Sequence, residues 1–129
     1  MVGPFRGNIK KEIEEIDKDI KKLLKELRED PFGWHLKKNE EYRKLIEKIL
    51  KEIEEHKKSL HKLYGLDQRH LSGIDKLEYY LRDYYRILES ATKGHTLVFP
   101  PGMLEAKWHA IQDFWNKHKY ELHRYGILK

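Results

Sequence analysis

Four stretches of this chain place apolar residues at steps that alternate between three and four. Ile9, Ile13, Ile16, Ile20, Leu23 and Leu27 form the first row. Tyr42, Ile46, Ile49, Ile53, His56, Leu60 and Leu63 form the second. Ile74, Leu77, Leu81, Tyr84, Leu88 and Ala91 form the third, and Leu104, Trp108, Ile111, Trp115, His118, Leu122 and Tyr125 the fourth. Such steps keep one face of an α-helix turned towards a partner. The pattern predicts an all-α chain, a four-helix antiparallel bundle running up-down-up-down with long heptad-patterned helices. A hairpin of the first two helices packed against a second chain is the competing arrangement, because seams this regular are often intermolecular.

Local signals predict helices near 8–29, 39–64, 67–93 and 103–125. Asn8 is a predicted N-cap of the first helix, and Pro31 disfavours helical geometry at Asp30. Asn39 is the predicted cap of the second helix, which stops at Gly65. Asp67, or Ser72 together with Asp75, is expected to start the third. Short links make neighbouring helices antiparallel. The longest connection, His95 to Gly102, carries Leu97, Val98 and Phe99, which are expected to pack on an end or flank of the bundle.

At 129 residues the chain is long enough for one core, and 1–129 is read as a single domain. Charged residues are 38% of it and apolar ones 39%, so the seams must supply most of the burial. Without cysteine there are no disulfides and no thiolate metal sites. The first residues lack the apolar core of a signal peptide, and no run suffices to span a bilayer, so a soluble cytoplasmic protein is expected. Abundant Lys and Glu with few Asn, Gln and Met fit a thermophilic organism or its virus or plasmid, in which case the compartment is the host cytoplasm.

The formal net charge is +5, which raises the question of nucleic acid. The excess is spread, with 17 basic and 14 acidic residues in 1–66 and 10 and 8 in 67–129. No helix-turn-helix, zinc finger or single-strand platform is recognisable.

Tyr79-Tyr80-Leu81-Arg82-Asp83-Tyr84-Tyr85-Arg86 is the densest aromatic segment. Tyr80 and Tyr84 share a face with Leu77 and Leu88, whereas Tyr79 is rotated away and Tyr85 also needs cover. The long loop, a second subunit or stacked bases could supply it. Tyr and Arg are enriched where interfaces concentrate their energy, so Tyr79, Arg82, Tyr85 and Arg86 are interface candidates. Phe32 and Trp34, in the turn Pro31-Phe32-Gly33-Trp34, either plug the bundle's end or form a partner-binding tip.

His56 and His118 each replace an aliphatic residue in a seam, each at the fifth position of its row, so the two could share a layer. No two histidines lie three or four apart, and no clear inward carboxylate accompanies this pair, so no metal and no cofactor are expected. The plain expectation is a pair of neutral core-edge histidines, each bonded to a tyrosine hydroxyl or a backbone carbonyl. Burial would then depress their pKa values and make the fold sensitive to acid.

The opening Ile9-Lys10-Lys11-Glu12-Ile13-Glu14-Glu15-Ile16-Asp17 resembles the start of the helical chorismate mutases, a Leu-Arg-x-x-Ile-Asp pattern. That resemblance implies a helical fold with arginines that bind a dicarboxylate. Lys10 stands at the family's first arginine and the second falls on Leu27, so the activity is not expected here. The leading expectation is a non-enzymatic protein–protein interaction module, a homodimer or a partner of another protein, without membrane contact. The alternative is a small basic nucleic-acid-associated protein acting as a regulator or accessory factor.

Overall fold

The computed structural model describes residues 8–94 and 98–128. Among them stand four α-helices and no strand: α1 (Ile9–Glu29), α2 (Asn39–Tyr64), α3 (Ser72–Thr92) and α4 (Met103–Arg124). A single 3-10 turn, Gln68–His70, precedes α3. The helices α1 and α2, α2 and α3, and α3 and α4 pack on one another, and α4 also touches α1, closing an all-α bundle. None of the described helices is long and apolar enough to cross a membrane.

The core follows from the seam residues. All six of the first row are buried, and so are Tyr42, Ile46, Ile49, Ile53, Leu60, Ile74, Leu77, Leu81, Tyr84, Leu88, Ile111, Trp115 and Leu122. Each fully buried Ile or Leu contributes roughly 1.5–3 kcal/mol of transfer free energy. The rows fade at their ends: Leu63 and Tyr125 are exposed, and Ala91, Leu104 and Trp108 are half-buried. In α1 the buried stripe is wider than its row, because Leu24 joins Leu23. A helix with two packed neighbours must present a broad apolar face.

Asn8 caps α1 as expected, its side chain accepting a hydrogen bond from the Lys11 N–H at 3.1 Å. Asn39 does something different from the expected cap. It is the first residue of α2, and Lys38 stands at the N-cap without a side-chain bond. The Asn39 amide nitrogen donates to the carbonyls of Phe32 and Leu88, both at 2.8 Å. An amide has two N–H donors, and here both meet backbone carbonyls, one in the α1–α2 turn and one on α3. Gly33 makes this possible: its φ is +69°, and a Cβ there would lie 2.4 Å from the Asn39 nitrogen. The buried Asp30 completes the turn by accepting from the N–H groups of His35 and Leu36.

The third helix starts at Ser72, five residues later than expected. Asp67 spends its carboxylate on the 3-10 turn, accepting from the Arg69 N–H at 3.0 Å. The Ser72–Asp75 box is absent too, because the Ser72 hydroxyl donates to Glu121 of α4 instead. Beside it Gly73 lets α3 and α4 approach closely, since a Cβ there would sit 2.7 Å from the His118 backbone nitrogen. In the long connection Leu97 lies outside the described residues. Val98 is 82% exposed, contrary to expectation, and Phe99 stacks on Phe32 at 5.9 Å. Of these two neighbours the aromatic ring is the one that finds an apolar partner.

Candidate functional site

Two regions gather the residues that carry chemistry. The first lies inside the bundle, where α2 brings His56 and α4 brings His118 into one layer. Both are fully buried. Their Nε2 atoms are 2.8 Å apart and the rings meet edge to face. The expected tyrosine or carbonyl partner is not what holds them. Glu12 of α1, itself buried, approaches His56 Nδ1 with Oε1 at 2.8 Å. Its other oxygen accepts from the Ser59 hydroxyl at 2.6 Å. Glu12 is therefore the inward carboxylate that the sequence reading missed. Its signal was its place three residues after Ile9 and four before Ile16, at the edge of the seam. His118 is held well below its ordinary value of 6.5, down to about 3, by burial and then by the charge on His56. Its Nδ1 is buried without a hydrogen-bond partner.

A second acidic layer lies seven residues further along α1. Asp19 is buried and meets Lys48 of α2 at 2.8 Å. Glu15 and Glu52 lie 3.6 and 4.0 Å from the same ammonium. Burial, then hydrogen bonding and charge from Asp19, push Glu52 up to about 8. Glu15, Asp19 and Glu52 could bring one oxygen each to a hard divalent cation. Lys48 already supplies the positive charge there, so the arrangement reads as an ion-pair network.

The other region is the outer face of α2 and α3. Arg82 and Arg86 line two adjoining clefts of about 420 and 440 Å³. Tyr85 lines one and Tyr79 the other. Tyr79 meets Tyr80 edge-on at 5.2 Å and still remains 59% exposed. Tyr80 is covered by Phe114 of α4, stacked at 5.6 Å. Tyr85 donates its hydroxyl to Glu47 of α2 at 2.8 Å, and Arg82 lies 3.7 Å from Glu78. The four α3 candidates are thus brought together. Phe32 and Trp34 stand apart from them: they stack on each other at 4.7 Å in the α1–α2 connection and line neither cleft.

Compared with protein-family models, with curated proteins and with solved structures, the chain matches none.

Proposed function

We propose that this chain is a non-enzymatic protein–protein interaction module, a homodimeric bundle that docks through the α2–α3 face. The observation that carries the reading is Tyr79, a large aromatic side chain 59% exposed beside two arginines. An exposed Tyr with Arg neighbours is the composition of an interface centre. The two clefts are lined by three basic side chains, Lys57, Arg82 and Arg86, and four acidic ones, Glu47, Asp75, Glu78 and Glu89. A phosphate backbone would meet as much repulsion as attraction there, and a protein surface of mixed charge would not.

The helices run up-down-up-down in this reading. Pairings along α1 rise from Glu12 to Asp19 to Asp30 while their α2 partners fall from His56 to Lys48 to Tyr42. Along α2 and α3, Glu47 meets Tyr85 and Lys57 meets Glu78. Along α3 and α4, Gly73 meets Glu121 and Asp83 meets Lys107. Each set reverses direction, which supports antiparallel neighbours. The heptad seams support the same arrangement. The Lys- and Glu-rich surface supports a thermophilic host, cellular or viral, and residence in its cytoplasm.

Light scattering on a size-exclusion column at tens of micromolar tests the dimer. The expected mass is twice that of the chain, falling to the monomer for Tyr79→Asp. A strict monomer of the parent chain overturns the homodimer. Anisotropy of labelled DNA at low salt tests the rival. No binding is expected, and tight binding that collapses with added salt would favour the nucleic-acid reading.

A further inference from the structure

Glu12, His56 and His118 form a line of hydrogen bonds across the core, from α1 through α2 to α4. The line ends at His118 Nδ1, which has no partner. A charged Glu12 is an acceptor only, so His56 carries its hydrogen on Nδ1. In neutral His56 the other nitrogen, Nε2, is then a lone pair. The hydrogen between the rings must belong to His118 Nε2, and His118 Nδ1 is bare.

This arrangement can take one proton without moving a heavy atom. A proton arrives at His118 Nδ1, and the hydrogen between the rings crosses from His118 Nε2 to His56 Nε2. His118 stays neutral, and His56 becomes a cation against Glu12. Both hydrogen bonds survive, and the positive charge comes to rest on His56 against the Glu12 carboxylate, a pairing that a desolvated site favours. A second proton finds no such place. Both Nε2 atoms would then carry hydrogens and face each other at 2.8 Å. That leaves two donors with no acceptor and two like charges in contact.

We propose that His56 and His118 together form a one-proton site, loaded through His118 Nδ1, and that a second proton drives α4 away from α1 and α2. Charged groups near the pair have partners of their own. From α1 only Glu12 bonds the pair, while Asp17 holds Lys119 of α4 at 3.1 Å. From α2 the Ser59 hydroxyl is spent on Glu12, Lys57 is paired with Asp75 and Glu78, and Glu55 lies 3.6 Å from Lys58. On α4, Glu121 is occupied by Ser72 and the Gly73 N–H. From α3, Gly73 lies against the His118 backbone, and no ionisable α3 side chain bonds either ring among the described residues. The depressed protonation of His118 agrees with the exclusion of a second proton.

Long-range 1H–15N spectra of the full chain with 15N-labelled histidine, from about pH 8 to about pH 4, test this directly. Two results are expected. A 15N–15N coupling should cross the Nε2–Nε2 bond. One proton should enter the folded state, with a hydrogen appearing on His118 Nδ1, and the coupling should vanish together with the α4 signals as a second is taken up. Absence of the coupling, uptake of two protons by a still-folded chain, or no uptake before unfolding each overturns the proposal. In Glu12→Gln the coupling should persist while the single uptake moves down by about one pH unit or more, because the charge that draws the proton is gone. An unmoved uptake in that variant also overturns it.

Discussion

Glu12 and Asp19 sit seven residues apart on α1, both buried against α2, and they are neutralised in opposite ways. Glu12 is held by a fully buried imidazole and a hydroxyl, groups that can shed or share hydrogens. Asp19, no less buried than Glu12, is held by Lys48, whose side chain is 54% exposed. Lys48 keeps its charge because its hydrogen bond to Asp19 favours the ammonium and solvent still reaches its side chain. The two layers differ in the exposure of the partner, His56 being fully buried and Lys48 half in solvent. The inner layer is tuned by where hydrogens sit, and the outer one by a fixed ammonium.

The sharpest way to break this comparison is to remove one partner from each layer. Glu12→Ala should lower unfolding free energy by about 3 kcal/mol, because it strands His56 Nδ1 and the Ser59 hydroxyl in the core. Lys48→Met should lower it by only about 1 kcal/mol, since that pair is partly solvated. Urea melts at neutral pH read both, and equal losses would show that the exposure of the partner makes no difference. Gly73→Ala probes the inner layer without touching its polar atoms. It pushes α3 and α4 apart at His118, and a loss of about 2 kcal/mol is expected. A loss near zero would mean that the close approach there can relax freely.

The two layers should also answer acid with opposite signs. Between 6.5 and about 3, the fold keeps His118 neutral while the unfolded chain charges it, so stability falls as the pH drops. Glu52, pushed from 4.5 up to about 8, stays protonated in the fold while the unfolded chain ionises. Its share of stability is complete below 4.5 and is lost as the pH rises towards 8. The two slopes, each roughly 1 kcal/mol per pH unit, oppose each other where the windows overlap. Thermal melts should therefore show a plateau from 4.5 to 6.5 and a decline above it. Glu52→Gln should remove the alkaline decline and uncover the acid slope of the inner layer. A plateau that persists in that variant would detach Glu52 from the effect. The smallest change is expected outside both layers. Tyr79→Ala should alter monomer stability by no more than about 0.5 kcal/mol in urea melts, while still weakening self-association in the size-exclusion experiment.

The four helices were legible because burial imposes a period, and aliphatic residues advertise it. Asn8 and Gly65 were legible because a cap and a left-handed stop are local demands. Glu12 was not, since a carboxylate among Glu14, Glu15 and Asp17 looks like one more solvated charge. His56 and Ser59 of α2 turn it inward, and those contacts span 44 and 47 positions of the chain. Asn39 misled for a related reason. Its residue type fits a cap, but its amide instead donates to two carbonyls distant in the chain, a use that local sequence does not display. The histidine layer was half legible: the shared register was visible in the two rows, and the acid that completes it was not.

The Asn39 amide has a further consequence for motion. Helix ends ordinarily fray, because their last carbonyls lack partners and open freely to water. The carbonyl of Leu88 is clasped from another helix, so the final turn of α3 is pinned at a point where most helices breathe. The first turn of α4 has no side-chain cap at Gly102. Amide exchange should therefore travel slowly through the end of α3 and quickly through the start of α4, and the chain between them joins a fixed anchor to a loose thread.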